Sequence, residues 1–209
     1  MLSRLDEIIY PNRCEVLEIV PSQRYIYPIY KNGSSSITEY AQQQGYKTLL
    51  NQQISKLTTI DVVLRNPFDR YISGIKTFVY TTKANNTELD APTILWFAEN
   101  YLFLNRHYAP QLSWLINLNR FTKAKLKFYG MGQLSQFTPL NVKPFEDVPL
   151  VDDIVIERLR GNIHNEMYQR LDTLLLELIG QEVTFQEVLE YLESKDKIAF
   201  QKLKCIALD

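Results

Sequence analysis

The chain has 209 residues, 45% hydrophobic and 22% charged, the make-up of an ordinary globular protein with room for one sizeable core. Its formal net charge is −1, so no global basic field favours nucleic acid or an anionic membrane surface. No stretch approaches the apolar length of a membrane span, and residues 1–209 are read as a single domain.

The first twenty residues mix Asp6, Glu7, Glu15 and Glu18 into an apolar background, unlike the uncharged core of a signal peptide. Cys14 and Cys205 stand near opposite ends and are read as free thiols in a reducing compartment, so the expected location is cytoplasmic. Arg24 to Ile29 is aromatic and β-branched, which predicts a strand. A helix is predicted from Ser35 through Ile37, Tyr40 and Ala41. The apolar run centred on Ile60 to Leu64 predicts a parallel strand covered on both faces. Pro67 suits the first position of a helix running through Tyr71, Ile72, Ile75 and Phe78.

Residues 81–92 read as a polar loop and 92–104 as an aromatic-rich helix. Lys125 to Tyr129 is a third strand, ended by Gly130, and the three prolines in 138–153 predict an extended surface loop. Ile163 to Ile179 is amphipathic and stops at Gly180, and "TFQE" at 184–187 has the form of a capping box opening a last helix. Strands alternating with helices predict an α/β fold: a P-loop-like three-layer domain with a central, mainly parallel sheet flanked by helices.

One junction carries chemistry. "YIYPIYKNGSSSITEYA" takes the chain from strand through a tight turn into a helix, a standard cradle for an oxyanion. Gly33 lets the backbone turn, Lys31 supplies a full charge, and Ser34, Ser35 and Ser36 supply donors without bulk. The order Lys31-Asn32-Gly33 differs from the nucleotide loop G-x-x-x-x-G-K-S/T. Taken alone, it fits equally an ordinary strand–helix turn with a solvated lysine and a serine cap.

"VVLRNPFDRYISGI" sets Arg65 at the carboxyl end of the second strand and Ser73 about two turns into the next helix. In an open α/β sheet that is the ligand end, and a guanidinium matches a phosphate with two parallel bonds. Asp69 and Arg70 are expected as a surface pair, or Arg70 as an outlying cation. The alternative for Arg65 is a strand-end arginine paired to a local carboxylate.

Together these stretches resemble the sulfotransferases that use 3′-phosphoadenosine 5′-phosphosulfate (PAPS). "PIYKNGSSSI" is similar to the family's P-K-x-G-S/T-S/T loop, departing from it by an insertion between Pro28 and Lys31, and "LRNPFDRYIS" to its L-R-D/N-P-F/Y-x-R-x-x-S segment. "NRHYAPQLSWL" followed by "KFYGMGQL" looks like the H-W/Y-x-P-Q and Y-x-x-G-x-x-E-x-L of membrane-type carbohydrate sulfotransferases, with Gln133 where an acid is usual.

The resemblance implies sulfuryl transfer from PAPS to a hydroxyl or amine of a glycan or small-molecule acceptor, with no metal required. Lys31, Asn32, Gly33, Ser34, Ser35 and Ser36 would hold the 5′-phosphosulfate, with Lys31 also neutralising the leaving group. Arg65 and Ser73 would hold the 3′-phosphate. His107 is the candidate base, since a neutral imidazole accepts a proton near neutral pH. It reads equally as a helix-end histidine packed on Tyr108. Glu39 competes for the role, or is a surface residue, and His164 is expected to be solvated. Arg106 would steer an anionic acceptor or lie in solvent. Two other functions stand beside this one: a P-loop kinase or nucleotide hydrolase, for which Asp61 is the nearest magnesium-binding candidate, and a non-catalytic nucleotide-binding module.

Overall fold

The computed structural model describes residues 14–20, 24–84, 90–100, 107, 109–140, 153–160 and 163–207. Six strands form one sheet: β1 (Glu15–Val20), β2 (Arg24–Tyr27), β3 (Thr48–Leu50), β4 (Thr59–Leu64), β5 (Lys125–Gly130) and β6 (Glu182–Val183). They lie in the order β3-β1-β2-β4-β5-β6.

The three strands predicted from sequence are the parallel ones. Ile26 and Tyr27 of β2 pair with Asp61 and Val62 of β4, and β4 pairs with β5 along its whole length, from Thr59 with Lys125 to Leu64 with Gly130. The other three pairings, β1 with β2, β1 with β3 and β5 with β6, are antiparallel. The expectation of a mainly parallel sheet is therefore corrected to a mixed one. β1, β3 and β6 escaped prediction because they are short, charged or both, and pairing rather than apolar content defines them.

Strand residues alternate between two apolar clusters, as a sheet covered on both faces requires. Ile60, Val62 and Leu64 of β4 and Leu126 and Phe128 of β5 enter the larger cluster. Val63 and Tyr129 enter the smaller one with Ile37, Ala41, Leu134 and Phe137. Helix α1 (Ser34–Gln43) and the 3-10 segment Met131–Gln136 supply the smaller side. α2 (Pro67–Ala84), α3 (Ala91–Asn100), α4 (Gln111–Asn119), α5 (Asp153–Arg160), α6 (Ile163–Leu175), α7 (Phe185–Lys195) and α8 (Lys197–Ala207) complete the described chain.

Several boundaries follow local chemistry. Asn66 Oδ1 accepts from the amides of Phe68 (3.0 Å) and Asp69 (3.1 Å), capping α2 behind Pro67. Thr184 and Glu187 form the expected capping box, Glu187 N to Thr184 Oγ1 at 3.2 Å and Thr184 N to Glu187 Oε2 at 2.7 Å. α7 is not the last helix, since Asp196 restarts the chain by accepting from Ala199 N at 3.0 Å at the head of α8. The predicted 81–92 loop is shorter: α2 runs to Ala84 and α3 begins at Ala91. Of the 138–153 loop, residues 141–152 lie outside the described residues and Asp153 opens α5.

Cys14 is a free, fully buried thiol, which burial pushes up to about 12. The side chain of Cys205 lies outside the described residues. Among the described residues, no helix is long and apolar enough to cross a membrane.

Candidate functional site

β2 delivers the chain into a turn at residues 30–33, where Asn32 N bonds Ile29 O at 3.1 Å. Gly33 caps α1 with φ 78°, ψ 11°, and the first helical bond runs from Ile37 N to Gly33 O at 3.1 Å. Glycine is required here twice over. The φ lies in the left-handed region, and a Cβ would meet Leu134 Cδ2 at 2.7 Å. The amides of Ser34 and Ser35 precede the first ladder bond, and no acidic residue in the first turn offsets the positive helix end. Ser35 is exposed, whereas Ser34 and Ser36 are buried.

Three cations converge on this turn. Lys31, itself at φ 69°, donates from Nζ to Thr77 Oγ1, and that hydroxyl donates to Ser73 O at 2.9 Å. The ammonium therefore lies against the face of α2 that carries Ser73. Arg65 donates from Nη1 to Lys31 O at 2.9 Å. Arg70 donates from Nε to Tyr30 O at 2.9 Å and from Nη1 to Ala109 O. Arg70 is thus no member of a surface pair. It is 2% exposed, because two backbone carbonyls receive it, while Asp69 is exposed.

Burial pushes the Lys31 amine down to about 8, helped by the charges of Arg70 and Arg65. It also lowers Arg65, against the pull of Asp69. Arg70 falls to about 10 through burial, with Asp172 opposing and Arg65 adding to the fall.

A buried amide network backs the turn. Asn32 is 1% exposed, and its Nδ2 donates to Val63 O at 2.8 Å and to Gln111 Oε1 at 2.6 Å, so this predicted ligand residue turns its side chain inward. Gln111 Oε1 also accepts from Arg65 N at 2.9 Å, and Gln111 Nε2 donates to Arg65 O at 2.9 Å. Asp172 of α6 accepts from Gln111 N (2.6 Å) and Leu112 N (2.9 Å), capping α4, whose own N-cap, Pro110, has no side-chain acceptor. Burial raises the Asp172 carboxyl to about 6, against those two amides and Arg70.

His107 is half-buried and sits edge-on to Tyr30, ring centroids 5.2 Å apart, with Trp114 tilted against the same tyrosine at 5.1 Å. It therefore adjoins the residue before Lys31. Glu39 is exposed on α1 and accepts from Gln43 Nε2 at 3.3 Å. Gln133 Oε1 accepts from Gly130 N at 2.9 Å, so this amide oxygen caps the 3-10 segment. Asp61 lies inside the sheet, paired with Arg24 at 3.0 Å. Arg106 and the side chain of His164 lie outside the described residues.

The sequence did not single out Thr77 or Asp172, and it marked Gln111 only as the last residue of the H-W/Y-x-P-Q match, with no role assigned. Of the first two, only Asp172 left a trace, as a carboxylate three residues before Leu175 on the buried stripe of α6. No family model, curated protein or solved structure matches the chain.

Proposed function

We propose that the chain is a PAPS-dependent sulfotransferase on a P-loop-like three-layer scaffold, transferring a sulfuryl group to a hydroxyl or amine of a glycan or small-molecule acceptor. The observation that carries this proposal is the meeting of Lys31 and Arg65 at one turn, the guanidinium bonded to the carbonyl of Lys31 itself. Arg65 and Arg70 lower the proton affinity of Lys31, and Arg65 lowers that of Arg70, so like charges are held together against repulsion, which is the electrostatic form of a site for a multiply charged anion. The buried Arg70 Nη2 finds no hydrogen-bond acceptor among the described residues, a donor surplus of the same sign.

PAPS supplies a sulfuryl group already joined to a phosphate leaving group. Lys31 neutralises the negative charge that grows on the bridging oxygen as its bond to sulfur breaks. The opening amides of α1 hold the 5′-phosphate, and Arg65 with Ser73 holds the 3′-phosphate. His107 accepts the proton of the acceptor as the new bond from acceptor to sulfur forms in line.

Calorimetry with adenosine 3′,5′-bisphosphate and AMP tests the donor site. The bisphosphate should bind at least about tenfold more tightly, and lose that advantage in Arg65→Ala; equal affinities overturn the proposal. Transfer from radiolabelled PAPS to glycans, lipids and small alcohols, with His107→Ala alongside, tests the chemistry. A second reading, a nucleotide-binding module without transfer, is favoured by the engagement of the Lys31 ammonium with Thr77. Tight bisphosphate binding with no transfer to any acceptor selects it.

A further inference from the structure

We infer that Gln111 is a positioning residue that sets the distance between the two halves of the anion site, the Lys31 turn and Arg65. This role rests on the sulfotransferase reading and adds to it a residue that touches neither the donor nor the acceptor. β4 ends at Leu64, paired with Gly130, so the next peptide group lies beyond the last rung of the sheet. Gln111 takes over there. Its carboxamide accepts from Arg65 N and donates to Arg65 O, both at 2.9 Å, as a neighbouring strand would. The same Oε1 accepts from Asn32 Nδ2 at 2.6 Å, one residue past Lys31.

One fully buried side chain thus ties the backbone of Arg65 to the turn that carries Lys31. Gln111 is itself fixed, since its own amide and that of Leu112 end on the two oxygens of Asp172. A ligand gripped at two ends is sensitive to that spacing, because a shift of about an ångström in a positioned group can change rate or affinity a hundredfold. A ligand held at one end is not. Loss of Gln111 should therefore weaken a bisphosphate far more than a monophosphate.

The test compares adenosine 3′,5′-bisphosphate with AMP on the full chain, wild type against Gln111→Met and Gln111→Glu. Thermal unfolding serves as the fold control. Gln111→Met should lose roughly tenfold or more in bisphosphate affinity and less than about threefold in AMP affinity, with the KM for PAPS rising more than kcat falls. Gln111→Glu keeps the oxygen that serves Asn32 and Arg65 N but turns the donor into an acceptor facing Arg65 O. Protonating the new carboxyl restores the donor, so its preference for the bisphosphate should recover as pH falls, beyond any drift of the wild type from Lys31, Asp172 and His107. That recovery is read within one folded variant and stands even if Gln111→Met fails to fold. Wild-type preference for the bisphosphate that survives in Gln111→Met, or in Gln111→Glu at every pH, overturns the positioning role alone. A wild type that binds the two nucleotides equally overturns the sulfotransferase reading and this role with it.

Discussion

The guanidinium of Arg65 bonds the carbonyl oxygen of Lys31 at 2.9 Å, so the second cation of the site supports the backbone of the first. Among the described residues that bond uses one N–H of a five-donor fork, and the proposed ligand would take others. On the proposed reading Arg65 works twice, once in shaping the turn, as the bond shows, and once in binding.

Arg65→Lys separates these two duties. A lysine keeps the charge but loses the planar fork and the reach to Lys31 O. Bisphosphate affinity should drop roughly tenfold to a hundredfold, the range for lost charge-assisted bonds, with AMP affected less. Titration calorimetry checks it, and a variant indistinguishable from wild type contradicts the double role.

In the proposed site Lys31 sets the upper pH limit for anion binding. Its amine is held down to about 8, so it is charged below that pH and neutral above it. Anion affinity should fall as pH rises through that value, and the fall should vanish in Lys31→Met. A bound dianion favours the ammonium, so binding just above the midpoint should take up protons, measurable in buffers of different ionisation enthalpy.

Gly33→Ala should destabilise by about 1–3 kcal/mol, through left-handed backbone strain and overpacking. The new Cβ would lie 2.7 Å from Leu134 Cδ2 at φ 78°. Adding Leu134→Ala removes the clash and leaves the strain, although it opens a cavity of its own. Urea unfolding of the double-mutant cycle should thus show the double variant losing less stability than the sum of the two single variants.

Asp172→Asn leaves a single side-chain acceptor for two buried amides, which should reduce stability by about 1–3 kcal/mol near neutral pH. The carboxyl is raised to about 6 in the fold, above the ordinary value of about 3.9. Its protonation therefore favours the folded state below roughly pH 4, and that contribution is lost as pH rises through about 6. Chemical denaturation across this window should show the variant's deficit growing as pH falls.

Gln133→Glu should change stability by less than about 0.5 kcal/mol, since a carboxylate oxygen can accept from Gly130 N as the amide oxygen does. A matched rise in transfer rate would assign the acid of the family pattern a chemical duty, whereas an unchanged rate leaves it a cap.

How far the sequence could be read depended on where each residue's partners lie. β4 was legible because Ile60 to Leu64 is apolar on both faces, and the capping box because Thr184 and Glu187 are three residues apart. α4 was not, because Gln111, Ser113 and Asn117 are buried among its apolar residues and blur the helical period. β6 is two residues long and exists through its pairing with Leu126 and Lys127. At the site, Lys31, Gly33 and Arg65 stood out through local spacing. Arg70 read as a surface charge because its acceptors, Tyr30 O and Ala109 O, are about 40 positions away on either side. The pairing of Gln111 with Arg65 spans 46 positions and leaves no periodic mark.

Lys31 occupies the left-handed region at φ 69°, a conformation that disfavours a side-chain-bearing residue by about 1–2 kcal/mol. Glycine would rest there at ease, and the chain would tolerate heat better for the exchange. Any laboratory evolution that rewards thermal endurance alone should therefore discard this amine early, yielding a sturdier protein without the charge on which the proposed transfer depends.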